Sequence, residues 1–207
     1  MTDSKKGDRV PVITKRGKRE RLTAAAVKML HEQGVEKTTL ADIAQAADVP
    51  VGNVYYYFKT KDDLVEAAIG AHAQSLQAMI ASLDEFPTPQ DRLKTLIGGW
   101  VQQRDLAARY GCPTGTLASE LDKRAGGLDR TVADVMQVLI DWTEQQFRSM
   151  GRSDSRDLAV ALIAAYQGIS LLTNTFRDPE LMAREGDRLA RWIDSLGRPA
   201  GDPDDPG

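Results

Sequence analysis

A single cysteine, Cys112, excludes an internal disulfide and supplies no metal-binding cluster, in keeping with a reducing compartment. Only two histidines, His31 and His72, are available as a base for that thiol, and neither is an obvious partner. No stretch approaches the ~18 consecutive apolar residues of a membrane span, and the charged N-terminus is not followed by the apolar segment of a signal peptide. These absences point to a cytoplasmic protein with no membrane partner. Glycine-rich phosphate loops, metal-ligand spacings and a serine elbow are missing too, so no catalytic residue, metal ligand or cofactor is assigned. Alternating β-branched stretches are also missing. Apolar residues recur instead at helical spacing, with Gly and Pro at helix-length intervals, and the expected class is all-α.

What the chain does contain is unevenly charged. Residues 1–61 hold 12 Lys+Arg against 7 Asp+Glu, a net +5, while the rest of the 207 residues carries −8. A basic front on an acidic body suits a module that faces nucleic acid, although a solvated charged tail would give the same balance. At 42% hydrophobic, the chain has ample material for a packed interior. Residues 1–14 and 197–207 are poor in large apolar groups, and are expected to form a flexible arm and a disordered tail.

A first helix is expected from about Arg16 to Gln33, with Leu22, Ala26, Met29 and Leu30 on one face and Gly34 ending it in a left-handed conformation. Thr39 with Asp42 three residues later reads as a capping box opening a second, short helix that stops at Asp48-Val49-Pro50. Pro50 suits the first turn of a third. Two short helices joined by a tight turn form the pattern of a helix-turn-helix. Thr60 then caps a long fourth helix running to about Leu83, and further helices are expected at about 89–109, 114–123, 127–150, 154–176 and 178–196.

The third helix holds Tyr55, Tyr56 and Tyr57, three of the five tyrosines in the chain. On a wheel of about 100° per residue, Val54 and Phe58 mark the inward stripe, Tyr56 and Tyr57 point outward, and Tyr55 lies on a flank where its ring can pack against the core edge. Phenols on an outward face can donate to phosphate while their rings rest on sugar or a thymine methyl. Gly52 permits close approach, and Asn53 can pair its amide with an adenine edge. Tyr55 and Tyr57 could equally wedge the module against the fourth helix.

The stretch TLADIAQAADVPVGNVYYYFKTKDDLVEAAI, residues 39–69, resembles the helix-turn-helix and following helix of TetR-type bacterial transcriptional repressors. The resemblance covers residues 16–69. It implies a homodimer on a palindromic operator in double-stranded DNA, released by a small-molecule effector. On this basis residues 15–61 form the DNA-binding domain and 62–196 a helical ligand-binding and dimerisation domain. It further implies phosphate contacts from Thr39, Tyr55, Tyr57 and Lys61, and base contacts from Val51, Gly52 and Asn53. Tyr56 sits where the family varies. Pro50 and Val51 depart from the family pattern, where a capping hydroxyl and a polar or basic residue are frequent. Lys15, Arg16, Lys18 and Arg19 form a basic arm suited to backbone or minor-groove contact.

In the body, Trp100, Arg104, Tyr110, Met136, Trp142 and Tyr166 are candidate effector-binding residues, though aromatic and Met positions at helical spacing serve a core equally well. Cys112, in a segment GCPTGTLASEL resembling one branch of these repressors, is a candidate sensor thiol near a helix N-terminus or a small buried hydrophobe. The resemblance puts the dimer surface on the last two helices, with Leu158, Leu162, Ile169, Leu172 and Phe176 and Leu189, Trp192 and Ile193 as its apolar positions, though their periodicity would equally suit a monomer core. Two other functions fit parts of the sequence: a thiol-dependent enzyme using Cys112, and a helical protein-binding adaptor.

Overall fold

The computed structural model describes residues 17–123 and 127–197, so the arm with Lys15 and Arg16, and the tail past Gly197, lie outside the described residues. The elements are α1 (Lys18–Lys37), α2 (Leu40–Ala46), α3 (Val51–Tyr57), α4 (Lys61–Asp84), α5 (Pro89–Gln102), α6 (Arg104–Tyr110), α7 (Pro113–Leu121), α8 (Leu128–Ser149), α9 (Ser155–Phe176) and α10 (Pro179–Leu196). Among the described residues there is no strand.

Local chemistry fixes several helix starts. Thr39, Thr60 and Thr88 each accept, through the side-chain oxygen, the backbone N–H three residues on, at Asp42, Asp63 and Asp91. Asp42 and Asp63 return the bond to the N–H of their capping threonines, at 3.0 and 3.1 Å. Hydrogen bonds from Thr39 and Thr60 hold both carboxyls below the usual range. Pro89, Pro113 and Pro179 occupy the first turns of their helices, where the missing N–H costs nothing. Pro50 precedes α3 as its cap instead of entering the first turn.

Two expectations change. Gly34 does interrupt α1 at positive φ, 84° with ψ 169°, but α1 does not end there, and a last short turn to Lys37 follows it. The helix expected at 89–109 is two helices, with a break at Gln103, whose N–H bonds to the carbonyl of Trp100. No glycine or proline marks that break. Packing supplies it: α6 lies against α9 and α10, and Gly186 of α10 sits so close to Val101 that a Cβ there would lie 2.4 Å from a Val101 methyl.

The interior forms two apolar clusters. The first joins Leu22, Ala26, Leu30, Ile43, Val54 and Phe58 of the N-terminal module to Leu64, Val65 and Ile69 of α4, then continues to Leu121, Val132 and Val135. The second gathers Leu93, Leu96, Ile97, Phe147, Leu162, Ile169, Leu189 and Ile193 around α5, α8, α9 and α10. The module therefore has no core of its own that stops at residue 61. Its apolar interior is shared with α7 and α8.

Candidate nucleic-acid interface and the seam behind it

The turn between α2 and α3 is made by Asp48, at φ 51°, and Val49. Asp48 is 3.4 Å from the Arg21 guanidinium of α1, so the turn is tied to the first helix. Val54 and Phe58 are buried, pinning one side of α3 to the core, and the Arg19 guanidinium lies 5.2 Å over the Phe58 ring. The opposite side faces solvent, with Val51 45%, Tyr55 51% and Tyr56 78% exposed. Gly52 is open around its Cα, and Asn53 is half-buried at the rim.

The tyrosine assignment is corrected on one point. Tyr55 is exposed, whereas Tyr57 is half-buried on the first cluster with its ring edge-on to Tyr56, centroids 5.0 Å apart. Both flank the inward stripe by similar angles. The wheel ran through Phe58, but Phe58 is the extended residue after the helix, at φ −138°, so it does not mark the helical stripe.

Other expected contacts are partly engaged. Lys61 Nζ donates to the Glu36 carbonyl at 3.4 Å, and the Thr39 hydroxyl donates to Asp42 Oδ2 at 2.6 Å. The face that remains comprises Val51, Gly52, Asn53, Tyr55 and Tyr56 on a short, outward-lying helix in the basic third of the chain. Its side chains offer an amide, phenols and a methyl-bearing surface, the chemistry that meets base edges and phosphates in a groove.

Residues 22–68 match the model of the family described as bacterial regulatory proteins, tetR family. The chain carries, over residues 22–68, the N-terminal module of the TetR family of transcriptional regulators. It is a DNA-binding regulator of the repressor type. An HTH-type transcriptional regulator of Mycobacterium tuberculosis is 28% identical over 171 residues, covering 78% of this chain and 87% of the relative. The Bacillus subtilis HTH-type regulator LmrA is 24% identical over 171 residues, covering 77% and 88%. In fold, the chain is similar to the crystal structure of a TetR transcriptional regulator from Legionella pneumophila, with TM-score 0.78 and 19% identity, over 88% of this chain and 98% of that one.

In the body behind this module the candidate effector residues do not all converge. Trp100 stacks on Tyr166, centroids 4.1 Å apart and 18° from parallel, and Tyr166 adjoins Cys112. Burial, then the Cys112 neighbour, pushes the Tyr166 phenol well above its ordinary range, so it stays protonated. Cys112 is buried, and its Sγ caps α7, accepting from Gly115 N at 3.4 Å and from Gln167 Nε2 at 3.6 Å. The other four lie apart from this group. Arg104 is 3.7 Å from Glu180, Trp142 Nε1 donates to Asp84 at 2.9 Å, Tyr110 meets His31 edge-on at 5.6 Å, and Met136 is half-buried on α8.

A small apolar cavity of about 30 Å³ lies elsewhere, in the seam between module and body. Its walls come from Leu30 and His31 of α1, Ile69 and His72 of α4, Thr114 and Leu117 of α7, and Val132 and Val135 of α8. Both histidines of the chain line it. His31 Nε2 donates to the Gly111 carbonyl at 3.0 Å, and His72 Nε2 shares a hydrogen bond of 2.7 Å with Thr114 Oγ1. The sequence offers these histidines only as bases for Cys112, because the helical pattern gives no sign that positions 31 and 72 meet.

The dimer surface also needs revision. Leu162, Ile169, Leu189 and Ile193 are buried within one protomer, in the second cluster, and Leu158 and Trp192 pack half-buried against it. They are core residues. Leu172 and Phe176 are exposed and share the outer side of α9 with Val160 and Leu171. The wheel of a largely apolar helix cannot say which apolar side meets the body, and α9 is long and apolar enough to cross a membrane, at a mean hydropathy of 1.4.

Proposed function

We propose that this regulator is a ligand-responsive repressor that binds a palindromic operator as a homodimer and is released by a small molecule. The observation that carries the reading is the outward side of α3, where Val51, Gly52, Asn53, Tyr55 and Tyr56 stand free of the packed core. Asn53 reads a base edge, the tyrosines and Thr39 meet phosphate and sugar, and Lys61 supplies charge at the helix border. Lys15, Arg16 and Arg19 add attraction to the backbone.

Dimerisation uses the outer side of α9, where Val160, Leu171, Leu172 and Phe176 remain exposed on a helix too apolar to face water alone. Two copies paired there present two α3 helices to half-sites on one side of the duplex. The effector acts along α7, which touches the Cys112–Tyr166–Trp100 group at its start and the seam cavity in its middle. A cavity of about 30 Å³ has little room for an effector as it stands, so a larger one parts the helices that line it, α7 among them, and binding shifts the population toward a form with misplaced α3 helices. The protein works in the cytoplasm, where its DNA is.

A gel shift with DNA from upstream of its own gene tests the reading. Saturable binding that depends on an inverted repeat is expected; equal binding to any duplex of the same length overturns it. The same result disposes of the adaptor and thiol-enzyme readings, neither of which calls for palindrome-dependent binding.

A further inference from the structure

The seam holds one bond that neither the sequence pattern nor the family likeness accounts for. Gly34 breaks α1 with φ 84° and ψ 169°, which takes the next residue out of the hydrogen-bonding pattern of the helix. The Val35 N–H donates instead to Glu120 Oε2, at 2.7 Å, from the last turn of α7. The approach is close enough that a Cβ on Gly34 would lie 2.5 Å from Glu120 Oε1. Around this point Thr38 Oγ1 donates to the Gly34 carbonyl at 2.6 Å, and Lys61 Nζ reaches the Glu36 carbonyl. The next residue, Thr39, caps α2. Glu120 thus holds the backbone immediately ahead of the two helices that face DNA.

The other end of α7 is held as closely by the body. A Cβ on Gly115 would lie 2.3 Å from Gln167 Oε1 of α9, and Gln167 also donates to the Cys112 sulfur that caps α7. Between the ends, Thr114 bonds His72 of α4, while Leu117, Ala118 and Leu121 pack into the apolar cluster of the module. A nine-residue helix is therefore fixed to α9 at its start and to α1 at its finish. A rigid element seated this way carries displacement from one end to the other.

We propose that Glu120 is a positioning residue: its carboxylate, bonded to the Val35 N–H, sets where α2 and α3 stand on the body, and α7 is the rod through which the body moves them. The inference rests on the repressor reading for its consequence at DNA. The bond itself is measurable without DNA.

The test uses the full chain with Glu120→Ala and Glu120→Gln. Amide hydrogen exchange is followed over residues 34–38, and binding is measured to a duplex selected by the wild type from a random pool and to an unselected duplex. In Glu120→Ala, exchange at Val35 rises about tenfold or more, and affinity for the selected duplex falls about 5- to 50-fold, the range of a coupling between sites. Affinity for the unselected duplex stays within about twofold, because its phosphate contacts do not need the two modules in register. Glu120→Gln keeps an oxygen acceptor and restores both. Unchanged exchange and affinity in Glu120→Ala would overturn the proposal. So would equal losses on both duplexes with a lowered unfolding temperature, which mark a merely structural role, or a Glu120→Gln chain as impaired as Glu120→Ala. A wild type that selects no sequence removes the repressor reading, and Val35 exchange alone then decides whether the bond holds.

Discussion

Asn53 and the tyrosines show what a residue type can say and where it stops. Gly52, Asn53 and Tyr56 lie on the outer side of α3, as their position on the wheel requires. Tyr55 and Tyr57 exchange roles because the chain leaves helical geometry at Phe58 and packs Tyr57 onto the cluster. Truncating them separates the roles. Tyr57→Ala is expected to lower stability by about 2 kcal/mol, part of the cost of removing a buried aromatic ring. Tyr55→Ala leaves stability within about 0.5 kcal/mol, as usual at exposed sites, and weakens DNA binding. Urea melts of the two variants check this, and equal destabilisation would return Tyr55 to the packing role that the wheel gave it.

Among the helices, the starts were legible, and so were the inward faces of α1 and α3, at Leu22, Ala26, Leu30 and Val54, but not that of α9. Thr39, Thr60 and Thr88 announce α2, α4 and α5 because a capping hydroxyl and an acid three residues on act locally. The break at Gln103 and the orientation of α9 depend on residues far along the chain. In α9, Leu162 and Ile169 turn inward while Leu171 and Phe176 turn out, and all four are apolar. If the outer side pairs with a second copy, Leu171→Glu places two carboxylates in that seam. Sedimentation is expected to show a monomer for Leu171→Glu at micromolar concentrations where the wild type is a dimer, with the helical circular dichroism of the two chains alike. A dimer that persists in the variant puts the interface elsewhere.

For the molecule as a whole, the sequence shows a basic front and an acidic body but not that they share one core. Leu121, Val132 and Val135 join that cluster from helices whose periodicity says only that they are amphipathic. The seam brings together His31 and His72, 41 positions apart in the chain. Burial, and then the nearby His31, holds the His72 imidazole below its ordinary 6.5. The neutral ring is favoured in the fold, while the unfolded chain takes up its proton near 6.5, so the contribution is fully present above that pH and is lost as pH falls below it. Stability at pH 5.5 is expected to fall below that at pH 7.5, and His72→Asn to flatten the slope. Urea midpoints across that range check it, and an identical slope in the variant would show that His72 does not titrate with folding.

The claim on which the functional account depends is that the outer side of α3 reads a sequence. It is tested most directly by titrating the wild type and Asn53→Ala against one selected duplex and one unselected duplex at a fixed salt concentration. Loss of an amide pair with a base edge is expected to weaken the selected complex by about 1–3 kcal/mol, roughly 5- to 150-fold, and to leave the unselected complex unchanged. Equal affinity of the two proteins for the selected duplex would contradict the account.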